Sequence, residues 1–204
     1  MSNQMIDLQR GQSALTDSDF HDLSKIAQRE FGLNLSPTKK PLIQSRLSQR
    51  LRALGVHSFT KYIETLNQPK MGGERLELIS ALTTNVTSFF REMHHFTYLQ
   101  EKCVSTFIEL SRKKEPIRIW SAACSTGEEA YSISASILSA WPDAARHDVK
   151  ILATDIDPKV IEIAEKGEYT KDALSPFFER VSNSTFFPSA TGQIMKFQGD
   201  VRNL

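Results

Sequence analysis

Apolar positions recur at helical spacing through the first third of the chain. In "DSDFHDLSKIAQREFG" the residues Phe20, Leu23, Ile26, Ala27 and Phe31 share one face, with Asp17 or Ser18 as N-cap and Gly32 as the stop. In "SPTKKPLIQSRLSQRLRALG" Ser36 is the expected cap, Pro37 stands at the first helical position, Ile43, Leu47, Leu51 and Leu54 form the stripe, and Gly55 terminates. Two shorter helical patterns follow, "SFTKYIETLN" capped by Ser58 and "GERLELISALTTN" after Met71-Gly72-Gly73. Residues 15–82 therefore read as an all-helical domain, and the polar, aperiodic residues 1–14 as a flexible tail.

The period changes after Pro116. "IRIW" reads as a short strand, "TGEEAYSISASILSAW" as a helix and "VKILATDI" as a β-branched second strand, which together make a βαβ unit. "DPKVIEIAEKG" adds a helix with Asp157 as cap, Pro158 at the first position and Gly167 as stop. Alternation of strands and helices predicts α/β architecture with a parallel sheet. The last segment, from "YTKDALSPFF" on, carries two prolines and a Gly-bearing turn and predicts a small irregular or hairpin region with a strand at Ile194 to Phe197.

Composition sets limits without naming a function. The 204 residues, 40% hydrophobic and 24% charged, suffice for one large or two small domains. No apolar run approaches the roughly 20 residues of a membrane span, and the start "MSNQMIDLQR" is too polar for a signal peptide, so the expected location is cytoplasmic, with no membrane insertion. Two cysteines, Cys103 and Cys124, make neither a disulfide framework nor a metal cluster. His94 and His95 are adjacent, so on a helix they diverge by about 100° and share no metal.

The net charge of +1 hides an asymmetry, since no acidic residue lies between Glu30 and Glu64. Arg46 and Arg50 are i,i+4 neighbours on the face away from the apolar stripe, and with Arg52 they predict a basic ridge. A solvated face is the ordinary explanation of such a ridge; an acidic partner or nucleic acid is the functional one. Aromatic interleaving of the kind used on single strands is absent there, and no nucleic-acid partner is expected.

The chemistry concentrates in "RIWSAACSTGEEAYS". A strand ends, small residues make a turn, and Gly127 leads into a helix whose first turn holds Glu128 and Glu129. This is the layout of a nucleotide-binding βα turn, with Ala122, Ala123 and Ser125 in place of glycines. Carboxylates at the helix start disfavour a pyrophosphate and suit hydroxyl or amine donors. Asp155, ending the second strand, stands where such folds place the acid that takes ribose hydroxyls. Glu129 and Asp155 would suit a positively charged nucleoside such as S-adenosylmethionine, yet a plain βα turn with capping acids explains the same residues equally well. Cys124 lacks the arginine that a phosphatase loop carries six residues on, where this chain has Ala130, and reads as a small turn residue.

Three stretches, "LTTNVTSFFREMHHF", "RIWSAACSTGEEAYSI" and "ILATDIDPKVIEIAEKGEY", resemble the CheR-type chemotaxis receptor methyltransferases in order and spacing, and "RLSQRLRALGVHSFTKYIETL" resembles that family's small helical domain. The resemblance covers nearly all of the chain after residue 15. It implies a helical receptor-docking domain at 15–82 and, at 83–204, the first part of a Rossmann-like S-adenosylmethionine-dependent domain ending in or near a small antiparallel β-subdomain. It implies methyl transfer from S-adenosylmethionine to glutamates of chemoreceptor cytoplasmic helices, leaving S-adenosylhomocysteine. Thr87 and Arg91 match residues lining the cofactor and methyl-transfer site, with Arg91 the catalytic candidate. Ala123 and Glu129 match the turn and its acid, Asp155 the ribose acid, and Arg46, Arg50 and Arg52 the receptor-docking surface. Phe89 and Phe90 read as core.

The family's catalytic domain continues for several more strands, including an "RNVxIYF"-type stretch that is not in this sequence. Asn203 could be the family's adenine-contacting asparagine, or "GQIMKFQGDVRNL" could still lie within the antiparallel subdomain, the alignment favoured on length. The expectation is a fragment, a monomer with weak cofactor binding and little turnover. The alternative is a non-catalytic docking module that binds acidic helices through the basic ridge.

Overall fold

The structure, a computed structural model, describes residues 14–178, 186–188 and 192–204. Nearly all of the expected tail and part of the last segment lie outside the described residues. The chain divides into two compact units, Met1–Thr84 and Asn85–Leu204.

The first unit is helical: α1 (Asp17–Phe31), α2 (Lys40–Ala53), α3 (Phe59–Leu66) and α4 (Gly72–Leu82). The cap of α1 is Thr16, not Asp17 or Ser18. Thr16 Oγ1 accepts the Asp19 N–H (3.0 Å) while Asp19 reaches back to the Thr16 N–H (3.3 Å), a reciprocal box that only a cap three residues before Asp19 can make. Nor does Ser36 open an α-helix. Pro37–Lys39 form a 3₁₀ turn, because Pro41 has no N–H to give the Pro37 carbonyl and Lys40 takes it instead. At the other end of α2, Val56 N–H bonds Leu51 C=O and Gly55 N–H bonds Arg52 C=O, a Schellman ending that turns Val56 toward the core and leaves Leu54 exposed. The stripe that packs is thus Ile43, Leu47 and Leu51, joined by Leu23, Phe59, Tyr62, Leu66 and Leu78.

The basic ridge is not a free surface. Arg46 Nη1 donates to the carbonyls of Ala81 (3.3 Å) and Thr83 (2.6 Å) and Nη2 to Thr84 Oγ1 (3.1 Å), so its guanidinium closes the C-terminus of α4. Arg50 forks onto buried Glu74 (Nε to Oε1 2.9 Å, Nη2 to Oε2 2.5 Å), whose Oε1 also accepts the Tyr62 hydroxyl (2.8 Å). The Glu74 bonds push the Arg50 pKa up, and burial followed by the Glu74 bond pushes that of Tyr62 up. Of the three arginines only Arg52 is exposed.

The second unit contains α5 (His94–Tyr98), a π-helical turn (Leu99–Cys103), α6 (Val104–Arg112), β1 (Ile117–Ala122), α7 (Glu128–Ala140), β2 (Val149–Thr154) and α8 (Pro158–Lys166). It continues with β3 (Glu168–Thr170), α9 (Ser175–Phe178), β4 (Phe186–Pro188), β5 (Ile194–Phe197) and α10 (Asp200–Asn203). β1 and β2 are parallel, with Ile117 opposite Val149 and Ala122 opposite Thr154, so both strands end level where the β1–α7 and β2–α8 turns begin. A separate antiparallel sheet has the order β3-β5-β4. The expected strand at Ile194 to Phe197 thus lies in that sheet, but residues 200–204 leave it: the Leu204 carbonyl accepts the Ile151 N–H (2.6 Å) on the edge of β2 away from β1. Phe89 and Phe90 are buried as expected, among Phe96, Tyr169, Phe177 and Phe197. Cross-strand partners Trp120 and Leu152 are 67% and 60% exposed on one sheet face. No described helix is long and apolar enough to cross a membrane.

Candidate functional site

The β1–α7 turn is held in a shape that sequence chemistry rarely permits. Ala123 (φ 63°) and Ser125 (φ 50°) both adopt left-handed backbone, and Gly127 (φ 98°) follows as the cap of α7. For residues with a Cβ this costs roughly 1–2 kcal/mol each. The compensation is local: Cys124 N–H bonds Thr154 C=O (2.9 Å), Gly127 N–H bonds Cys124 C=O (2.9 Å), and Ser125 N–H bonds Asp155 Oδ2 (2.8 Å). These three amides are therefore engaged within the protein, and the turn does not offer them to a phosphate.

Asp155 lies where β2 runs into its turn. Its Oδ2 takes the Ser125 N–H and its Oδ1 the Asp157 N–H (2.9 Å), which fixes the carboxylate between the two turns. Each oxygen keeps a further lone pair for a ligand donor. Glu129, exposed in the first turn of α7, accepts the Ser121 hydroxyl at Oε1 (2.6 Å). Beside them Ala123 is small and exposed. Two anchored carboxylates beside a turn in which these three amides are already engaged fit a ligand rich in hydroxyl and ammonium donors, as S-adenosylmethionine is.

Thr87 and Arg91 belong to the loop between α4 and α5. Thr87 is half-buried; Arg91 is exposed, its Nη1 donating to the Val86 carbonyl (3.1 Å). Left-handed Phe90 (φ 54°) and Glu92 (φ 58°) flank Arg91, so the chain reverses on both sides of it while Phe90 N–H anchors to Ser132 Oγ of α7 (3.0 Å). Cys124 is buried, and burial followed by the Asp155 charge pushes its thiol pKa up, the reverse of an activated nucleophile. Among the described residues no group of three or more His, Cys, Asp or Glu could hold a metal ion.

The family described as CheR methyltransferase, SAM binding domain, matches residues 85–204, and its CheR methyltransferase, all-alpha domain, matches residues 18–83. This chain belongs to the CheR methyltransferase family. Its relatives include a probable chemotaxis protein methyltransferase of Rhizobium etli, 42% identical over 84% of this chain and 64% of the relative. The chemotaxis protein methyltransferase 2 of Pseudomonas aeruginosa is 42% identical over 78% of this chain and 54% of its own length. The chemotaxis protein methyltransferase of Escherichia coli is 37% identical over 79% and 54%. The chain thus spans roughly half to two thirds of the length of the curated relatives it matches. S-adenosylmethionine is the cofactor that the CheR binding domain takes. The alternative of a docking module without catalysis has no support here, since the match runs through the cofactor-binding domain.

Within this CheR domain the structure draws Ala123, Glu129 and Asp155 to the ends of the two parallel strands and leaves Arg91 bonded within its own loop. Sequence reasoning missed Asn85, whose side-chain amide donates to Asp157 Oδ2 (2.8 Å) and whose carbonyl accepts the Ser125 hydroxyl (3.0 Å). Asn85 stands inside the stretch "LTTNVTSFFREMHHF", but its partner is 72 positions away, and spacing carries no such signal.

Proposed function

We propose that residues of this chain line the S-adenosylmethionine site of a protein-glutamate O-methyltransferase acting on chemoreceptor cytoplasmic helices. The observation that carries the reading is the pair of carboxylates, Asp155 and Glu129, anchored at the level ends of β1 and β2 around a tight left-handed turn. In this reading Asp155 accepts the ribose hydroxyls, Glu129 attracts the amino-acid end, Ala123 lets the ligand approach the backbone, and Thr87 closes one side. Arg91 forks onto a carboxylate of cofactor or substrate in the bidentate manner open to guanidinium.

When bound, the cofactor supplies a sulfonium methyl group, which passes to a carboxylate oxygen as the C–S bond breaks and its electron pair stays on sulfur in S-adenosylhomocysteine. A glutamate side chain, with a pKa of about 4.3, is already ionised at neutral pH, so the residues need not provide a general base. Their task is to align two reactants and exclude water, where orientation is worth roughly 7–11 kcal/mol. Residues 15–82 are the proposed receptor-docking domain, in which exposed Arg52 meets acidic helices while Arg46 and Arg50 brace the domain itself.

The test is titration calorimetry of the 204-residue chain with S-adenosylhomocysteine. Binding that weakens by at least about tenfold in Asp155→Ala supports the reading, since a ribose acid makes charge-assisted bonds to two hydroxyls. A folded chain that binds no S-adenosylhomocysteine, or binds it equally well as Asp155→Ala, refutes the assignment of the site to this chain. The substrate is tested separately by transfer of labelled methyl groups to a Glu-rich receptor fragment as base-labile ester.

A further inference from the structure

Tyr169 belongs to the antiparallel sheet, yet its side chain reaches the cofactor turn. It stands in the middle of β3, opposite Met195 of β5, and its hydroxyl donates to the Thr126 carbonyl (2.5 Å), 43 residues back in the chain. Thr126 lies between left-handed Ser125 and left-handed Gly127. A Cβ on Gly127 would stand 2.9 Å from the Tyr169 hydroxyl oxygen, so the glycine that ends the turn and the phenol beneath it are fitted to each other. The ring meets Phe89, from the loop that carries Thr87 and Arg91, edge to face at 5.0 Å, and Tyr131 of α7 at 5.9 Å. Burial, followed by the Glu128 charge, pushes the Tyr169 pKa up, so the phenol stays a neutral donor.

We propose that Tyr169 is a positioning residue for methyl transfer: its hydroxyl acts through Thr126 to hold the β1–α7 turn in its ligand-accepting shape, which makes the antiparallel sheet a support of the cofactor site. The inference rests on the proposed function of that site. A core tyrosine needs an acceptor, and any buried carbonyl would serve. The acceptor here belongs to the Thr126–Gly127 peptide, whose N–H closes the turn onto the Cys124 carbonyl (2.9 Å). Ser125 and Thr126 are the central residues of that turn, and the Ser125 N–H holds Asp155 Oδ2 (2.8 Å). A backbone with left-handed Ala123 and Ser125 persists where its surroundings over-determine it. Without the hydroxyl the Thr126–Gly127 peptide is free to rotate, the turn loosens, and Asp155 loses part of its support. The ordering cost is then met at the moment of binding, and affinity falls.

The experiment compares Tyr169→Phe, which keeps the ring and removes the hydroxyl, with Tyr131→Phe. The second variant removes a partly buried hydroxyl of the same chemistry, which donates to the Ala164 carbonyl (3.0 Å) near the end of α8. Dissociation constants for S-adenosylhomocysteine are measured by calorimetry on the full chain, well below the melting temperature of each variant. Tyr169→Phe is expected to weaken binding by about three- to tenfold, the worth of one neutral hydrogen bond, and Tyr131→Phe by less than about twofold, although both lower the melting temperature. A hydroxyl that only satisfied the core would lower the melting temperature and leave the affinity of the folded chain unchanged. Parent-like affinity in Tyr169→Phe, or equal weakening in the two variants, therefore overturns the inference.

If the parent chain binds no S-adenosylhomocysteine, the proposed function fails and backbone amide exchange without ligand decides the tie by itself. Faster exchange at the Ser125 and Gly127 amides in Tyr169→Phe than in Tyr131→Phe supports it, and equal protection overturns it. If Tyr169→Phe does not fold, the parent chain decides. Support of the turn by the sheet is reciprocal, so bound S-adenosylhomocysteine should slow exchange in the β3–β5 ladder, and unchanged exchange there overturns the inference.

Discussion

Substituting Gly127 by alanine tests the packing that shapes the cofactor turn. Gly127 sits at φ 98°, and a Cβ there would lie 2.8 Å from Ala164 Cβ, 3.0 Å from Ala164 Cα and 2.9 Å from the Tyr169 hydroxyl oxygen. The backbone conformation alone costs an alanine roughly 1–2 kcal/mol. Ala164 is fixed by the backbone of α8, so the overlap cannot be relieved by a rotamer and adds about 1–3 kcal/mol. The Tyr169 hydroxyl donates to the Thr126 carbonyl at 2.5 Å and is pushed off that bond, which is worth about 1 kcal/mol. The expected loss is therefore about 3–6 kcal/mol, near the upper end for a point substitution. Urea unfolding followed by tryptophan fluorescence reads the right unit, because both tryptophans, Trp120 and Trp141, belong to residues 85–204. Gly192→Ala is the control: φ is 69°, but nothing lies within 4 Å of the added Cβ, so only the backbone part, about 1 kcal/mol, should be lost. Equal losses in the two variants, or a Gly127→Ala loss under about 1 kcal/mol, would refute the close-contact account.

Two further outcomes follow from the buried polar groups. Glu74→Ala strips Arg50 of its fork and the Tyr62 hydroxyl of its acceptor; with Glu77 still 3.4 Å from Arg50, the helical unit should lose about 2–4 kcal/mol in a thermal melt read at 222 nm, and a parent-like melting temperature would show that the fork is dispensable. Native Cys103, half-buried, should react with iodoacetamide well before Cys124, which is 1% exposed with its thiol pKa raised, so that even mild alkalinity leaves Cys124 as thiol; mass spectrometry finding Cys124 labelled first would contradict the buried turn.

Much of this protein was legible in its residues because the signals are local. The apolar period gives α1 to α4, the β-branched runs give β1 and β2, and Asp157 with Pro158 starts α8 one residue after its cap. The turn "SAACSTGEE" could be read as an acidic ligand site from small residues followed by carboxylates. Even the cap of α1 missed by a single position, because Thr16, Asp17 and Ser18 are all competent caps and only the reach of Asp19 chooses among them.

What the tertiary structure decided is where charge and backbone go once distant segments meet. A period-3.6 reading places Arg46 and Arg50 off the apolar stripe but cannot see that α4 lies there, offering Arg46 its terminal carbonyls and Arg50 a buried glutamate. The same holds at the site, where Asn85, Ser125, Asp155 and Asp157 come from three segments and become one ring only when β1 and β2 align in parallel register. Local pattern fixes which backbone forms, since each residue's torsional preference and its neighbours three or four away are enough to choose it. Hydrogen-bond partners across tens of residues are chosen by packing, and no spacing in the sequence encodes them.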